Sequence, residues 1–182
     1  MTIRLEKPNA ALLDGYIAAL RTGWSPSNVA DLSGPHLAAI AKDADSFLAD
    51  YEWSADKTIA LGDGTFVPRL PGQVYWISDG AFCGVINLRY QPGTLDLPAT
   101  VSGHLGYAIV PWKRRQRIAT QAVRALLPIA HAAGLERVLV TTDLGNVASQ
   151  GVILAAGGIP QEDLPYSDHF GPRLGFWIHT AR

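Results

Sequence analysis

The chain has 182 residues, 48% of them hydrophobic and 17% charged, with a net charge of −1. Such proportions exclude a disordered chain and suit one substantial core, so residues 1–182 are expected to form a single domain. The balance of charge excludes a dedicated nucleic-acid binder, the lone Cys83 allows no internal disulfide, and no apolar run is long enough for a membrane span. The start MTIRLEKPNA has no apolar signal core, so a cytoplasmic location is expected, with neither nucleic acid nor membrane as partner.

In chain order, Thr2 to Glu6 alternates as a strand and stops before Pro8. Asn9 is a good helix cap for a stripe of Leu12, Leu13, Tyr16, Ile17 and Leu20 that ends near Gly23. After a loop at Trp24 to Asn28, one helix is expected from Ser33-Gly34-Pro35 to Tyr51, with Leu37, Ile40, Ala41, Ala44, Phe47 and Leu48 on its apolar face. Ser54 to Gly72 is punctuated by glycine and proline and predicts a long irregular loop. Gln73–Ser78 and Ala81–Tyr90 form a hairpin around Asp79-Gly80, and Gln91 to Ser102 is a polar connection.

The most informative stretch follows, GHLGYAIVPWKRRQRIATQAVRALLPIAHAAG. His104 to Val110 is a strand ended by Pro111. Lys113, Arg114, Arg115 and Arg117 then precede a helix whose face is Ile118, Ala122, Ala125, Leu126, Ile129 and Ala133. Cations beside the unpaired amides of a helix start suit an anion such as phosphate, although a cationic turn also serves as plain solvated surface. Pro128 falls inside this helix and predicts a kink. Gly134 suits the helix end, Arg137 to Thr142 is a buried strand, Asn146 to Ala156 a short helix closed by Gly157-Gly158, and Leu174 to Thr180 a last strand. Exposed strand edges at the C-terminus would allow a homodimer.

Arg114-Arg115-Gln116-Arg117-Ile118-Ala119 resembles the pyrophosphate-binding turn of the GNAT N-acetyltransferase superfamily, with Arg117 where that family usually has glycine. GVINLRY, GHLGYAIVPWKRRQRIAT, RVLVTTDLGNVAS and Gly157-Gly158 together resemble a subgroup of bacterial GNAT acetyltransferases without an assigned substrate. The resemblance covers residues 66 to 180. It implies an α/β (α+β) fold: a mixed central sheet of six or seven strands, splayed between the fourth and fifth, with about four helices. It also implies acetyl-CoA as cosubstrate and a small-molecule or peptide amine as acceptor, joined by direct attack in a ternary complex.

On that resemblance the cofactor would touch Ile109, Val110, Arg114, Arg115, Gln116, Arg117, Ile118, Ala119, Thr120, Asn146 and Ser149. Backbone freed by a bulge near Tyr107 to Val110 would bind the pantetheine arm, and the turn would aim its amides through helical dihedrals. His104 stands where many relatives place a glutamate base, with a strand-edge histidine bonded to backbone as its plain alternative. Tyr107 stands in for the family's tyrosine acid, whose place is taken by Ile153. Trp76, Asn87 and Arg89 are expected at the acceptor, and Trp24, Trp53 and Tyr75 suit acceptor walls and core equally well. Cys83 is expected to be a packed thiol, and His36, His131, His169 and His179 lack metal-ligand spacing, so no metal is expected. A CoA-binding sensor without catalysis is the alternative. A Rossmann dehydrogenase is discarded because no G-x-G-x-x-G precedes VLVTTD.

Overall fold

The computed structural model describes residues 2–28, 30–51, 58–60, 65–162 and 170–181. Strand β1 (Arg4–Glu6) leads into α1 (Ala10–Arg21), whose first turn is capped by Asn9: its Oδ1 accepts from the Leu12 N–H at 3.2 Å. The single helix expected next is two, α2 (Ser33–Lys42) and α3 (Ala44–Tyr51). Asp43 divides them: its backbone is extended, and its carboxylate accepts from the backbone N–H and hydroxyl of Ser46, starting a new helix. The irregular loop expected from Ser54 to Gly72 contains two short paired strands, β2 (Thr58–Ala60) and β3 (Phe66–Pro68).

The hairpin forms as read, β4 (Gly72–Ser78) against β5 (Phe82–Arg89), with Gly80 at positive φ in its turn. β6 (Leu105–Ile109) follows, then a short 3₁₀ turn (Pro111–Lys113), α4 (Ile118–Ala132), β7 (Arg137–Asp143), α5 (Val147–Ala155), β8 (Ile159–Gln161) and β9 (Arg173–His179). β8 was not expected. It covers one side of β9, so the outer edges of the two main ladders are β1 and β8 rather than the C-terminal strand.

Those ladders, β1-β4-β5-β6 and β7-β9-β8, are antiparallel within themselves and supply seven strands. One core cluster joins them: Ile86, Leu88 and Leu105 of the first and Val138, Val140 and Phe176 of the second pack against Ile118, Ala122 and Leu126 of α4. Val123, Leu127 and Ala130 widen the buried face of α4, while Ala125 is exposed. Pro128 is exposed as well, so the Arg124 carbonyl that it cannot bond lies on the solvent side and the helix runs through. The opposite face of the first ladder carries an aromatic cluster of Tyr16, Trp24, Phe47, Trp76 and Phe82 beneath α1 to α3.

The bulge expected in β6 lies in β5 instead. Ile77 pairs with Gly84 and Ser78 with Phe82, which leaves Cys83 as the extra residue, while β6 pairs without interruption from Leu105 to Ile109. Gly84 has φ +151°, and a Cβ there would strike the Ala108 carbonyl oxygen and stand 2.9 Å from Ile109 Cα. Gly84→Ala should therefore destabilise the fold by about 2–3 kcal/mol in urea denaturation, through backbone strain and overpacking against β6.

Candidate active site

β6 and β7 share no ladder; they meet at a single rung. The His104 N–H donates to the Leu139 carbonyl at 2.7 Å, and the Leu139 N–H donates to His104 Nδ1 at 3.0 Å. Beyond this rung the strands part, and both run towards one cavity of about 1060 Å³, lined by Ile109 at the end of β6 and Asn146 just past β7. Bonds from Arg89 N–H to the His104 carbonyl and from Val110 N–H to the Cys83 carbonyl show that even positions of β6 bond to β5. By the alternation of an antiparallel ladder, the backbone groups of Tyr107 and Ile109 face the gap. The opening, not a bulge, frees them, except for the Ile109 carbonyl, which accepts from Arg114.

The cationic turn stands at the mouth of this cavity. Lys113 is tied to Asp79 at 2.6 Å, and Arg114 Nε donates to the Ile109 carbonyl at 3.1 Å, so two of the four cations hold the turn in place. The Arg115 and Arg117 side chains have no hydrogen-bond or ion-pair partner among the described residues. Both residues have φ +60°. This corrects the expectation of helical dihedrals: Arg117 takes the left-handed conformation of the glycine that it replaces. Positive φ at alternate residues curls a backbone so that successive amides converge, the geometry of an anion nest. Arg117 makes no side-chain cap, and the amides of Ile118, Ala119 and Thr120 open α4 without helical partners on the cavity wall.

Across the gap, Tyr107 Oη lies 2.8 Å from Ser149 Oγ on α5, and the Asn146 side chain caps α5 by accepting from the Ser149 N–H at 3.0 Å. Burial raises the pKa of Tyr107 and keeps its phenol protonated. His104 is 0% exposed, and burial together with the nearby Arg89 guanidinium pushes its pKa down to about 4. With Nδ1 accepting from Leu139, the neutral ring carries its proton on Nε2, which has no partner among the described residues. No lone pair on the ring is open to a substrate proton.

Of the residues expected at the cofactor, Ile109, Arg114, Arg115, Arg117, Ile118, Ala119, Thr120, Asn146 and Ser149 line the cavity together with Tyr107. Val110 does not: it is fully buried. Gln116 turns back to the Trp112 carbonyl. Trp76, expected at the acceptor, is core, 0% exposed and stacked on Tyr16 at 4.8 Å. Tyr75 packs on the main core, Trp53 and His169 lie outside the described residues, and Asn87 and Arg89 stand side by side away from this cavity, joined at 3.3 Å. Cys83 is buried, and burial and Asp79 raise its thiol to about 11, the state of a packed thiol rather than a nucleophile. The sequence reads as a loop at 24–28, with only Trp24 suspected of a site role; Thr22, Gly23, Ser25, Ser27 and Asn28 also line the cavity. Its small polar residues after a helix end were the available signal.

Two outcomes follow from the turn and the rung. Arg117→Gly should raise stability by roughly 1 kcal/mol in chemical denaturation, because glycine adopts positive φ without the Cβ penalty. His104 is neutral when folded and has an ordinary pKa when unfolded, so its contribution is full above about pH 6.5 and is lost as pH falls towards 4. The stability gap between wild type and His104→Gln, measured by urea denaturation, should shrink over that interval by an amount on the order of 2–3 kcal/mol.

A family model described as an acetyltransferase (GNAT) domain matches residues 21–159. No curated protein matches the chain by sequence. Among solved structures, RimJ of Mycobacterium smegmatis in complex with CoA-disulfide is 16% identical, with a TM-score of 0.59 over 97% of this chain and 81% of that one. RimL, a ribosomal L7/L12 alpha-N-protein acetyltransferase in complex with coenzyme A, is 11% identical, with a TM-score of 0.57 over 98% and 94%. The microcin C7 self-immunity acetyltransferase MccE, in complex with acetyl-CoA and AMP, is 12% identical, with a TM-score of 0.55 over 98% and 92%. With three quarters of its length matched to the family model and the splayed sheet at its centre, the chain belongs to the GNAT family of acetyl-CoA-dependent acetyltransferases.

Proposed function

We propose that the chain transfers an acetyl group from acetyl-CoA to a primary amine of a small molecule or peptide by direct attack with both substrates bound. The observation that carries this reading is the gap between β6 and β7, which opens onto unpaired amides and, at the start of α4, two arginines without a partner among the described residues. Arg115, Arg117 and the amides of Ile118 to Thr120 bind the diphosphate, and Asn146 and Ser149 face the pantetheine arm. The inward backbone groups of Tyr107 and the amide of Ile109 hold that arm in strand fashion, and one of these amides polarises the thioester carbonyl where charge develops.

Tyr107 is assigned as the acid that protonates the departing thiolate, held by Ser149 on the helix where the family's tyrosine would stand. Ile153, at that family position, is fully buried and has no proton to give. His104 is assigned to the junction rather than to proton removal, since its one lone pair is engaged by Leu139. The amine is accordingly taken up as its free base. The likeness to an alpha-N-protein acetyltransferase supports keeping peptide amines in the acceptor class.

Calorimetry with CoA and release of free thiol across an amine panel test this reading. CoA should bind, and Arg115→Gln with Arg117→Gln should weaken it on the order of tenfold or more. Tyr107→Phe should slow turnover roughly tenfold or more with CoA affinity unchanged. Absence of CoA binding refutes the reading, whereas tight binding without turnover on any amine favours the sensor alternative that the buried Ile153 suggests.

A further inference from the structure

Side chains two apart on a strand share a face. On the face turned towards α1 to α3, Trp76, Val85 and Ala108 lie beneath those helices. Farther along it, Asn87 and Arg89 of β5, Gly106 of β6, Thr141 of β7, and Arg173 and Trp177 of β9 are only half-buried. Leu139 and Trp177, apolar as they are, belong to neither core cluster. Gly106 has no side chain and lies beside the Asn87 amide, so this strip is a trough across the junction. It adjoins the cofactor cavity: Ala108 lines that cavity, and Gly106 is the next residue upstream on the same face of β6.

Donors in this trough outnumber the acids bonded to them among the described residues. Arg89 Nε donates to the Gly103 carbonyl at 2.7 Å and Nη1 to Asn87 Oδ1 at 3.3 Å, both neutral oxygens, and no carboxylate meets it among the described residues. Arginine is rarely buried without a paired acid. Burial and the positive fields of Arg173 and Arg69 lower its pKa to about 10, and its neighbour His104 carries the orphaned Nε2–H. Arg173 has one acid, the exposed Asp143 at 3.1 Å. Among the described residues Asp143 is the one acid bonded to Arg89 or Arg173, which leaves the Arg89 guanidinium to an incoming anion such as a carboxylate.

We infer that the trough binds a carboxylate carried by the acceptor amine, with Arg89 and Arg173 as its anchors. This rests on the acetyltransferase reading and narrows its substrate to amines that bear an acid. A guanidinium holds a carboxylate through charge-assisted, bidentate bonds, and its arrival relieves the repulsion among the arginines. The carboxylate has two sources, the α-carboxylate of a free amino acid or an acidic side chain near a peptide's amino terminus.

The test uses the whole chain with saturating acetyl-CoA. Thiol release is compared between amino acids and their carboxamides, and between Ala-Glu and Ala-Gln peptide amides, which separates the two sources. In parallel, N-acetyl amino acids are titrated calorimetrically into the CoA-loaded protein. The charged member of one pair should be preferred at least about tenfold in kcat/KM, because a site built to bond an acid rejects the analogue that lacks it. Arg173→Gln should bring that ratio towards one and weaken N-acetyl amino acid binding, with CoA affinity unchanged and the thermal midpoint lowered by only about a few degrees for its lost contacts to Asp143 and Phe170; Arg89→Lys should retain part of the preference. Carboxylate binding that Arg173→Gln weakens supports the inference even where no panel amine reacts. Equal rates within both pairs, equal losses for charged and neutral members, or no carboxylate binding to the CoA-loaded chain overturns it alone. Failure of the wild type to bind CoA removes the acetyltransferase reading and this inference with it.

Discussion

Everything at the centre of this molecule depends on β6 and β7 being bonded once and then not again. The rung at His104 and Leu139 is unusual in its chemistry, because the imidazole Nδ1 takes the place of a backbone carbonyl as acceptor for the Leu139 N–H. A side chain in that position closes the first rung but cannot set the register for a second. Each strand is already satisfied on its other edge, β6 by β5 and β7 by β9, so separation exposes only the inward groups. Both half-sheets are nevertheless held to α4 by one apolar cluster. The opening is thus a fixed part of the fold, and the same helix that spans it places its own amino terminus at the mouth.

This placement divides the labour among neighbouring cations. Lys113 and Arg114 are used inside the protein, the first pinning the turn to the β4–β5 hairpin and the second covering the last carbonyl of β6. Arg115 and Arg117 take the left-handed conformation, and their guanidinium groups have no partner among the described residues. Backbone strain of about 1 kcal/mol at each such residue persists only where the surroundings impose it. Here the anchors on either side do so, and the reward is a concave run of amides beneath two positive charges. A glycine at position 117 would reach the same conformation without strain but would bring one charge fewer.

The junction also explains the state of its own histidine. Burial and a guanidinium next door leave the neutral ring as the stable form, and the single acceptor nitrogen is occupied. Such a residue determines where the strands part, and the proton chemistry falls to groups that reach the cavity, of which Tyr107 is the one with a hydroxyl held against α5. The two sides of the gap are both electropositive, but in different ways: solvent-exposed arginines on a turn at one side, and a recessed guanidinium with neutral partners at the other.

Much of this was legible in the chain itself. Asn9, Asp79-Gly80, Gly134 and Asn146 act locally, through caps and turns whose geometry needs only a few consecutive residues, and the elements that they bound appear where the residues place them. The strand, basic turn and helix from 104 to 132 were equally readable, because apolar period and charge sit in one continuous stretch. What the tertiary structure alone decided involves partners far apart in sequence. Asp43 breaks a continuous apolar stripe through a bond to Ser46 that periodicity does not register, and β8 exists only because β9 offers it an edge. Trp76 looks the same in a list of residues whether it faces a ligand or stacks on Tyr16, and His104 whether it takes a proton or accepts an amide 35 positions away. Residue type limits what a side chain is able to do; which of those things it does is set by the strand that arrives beside it.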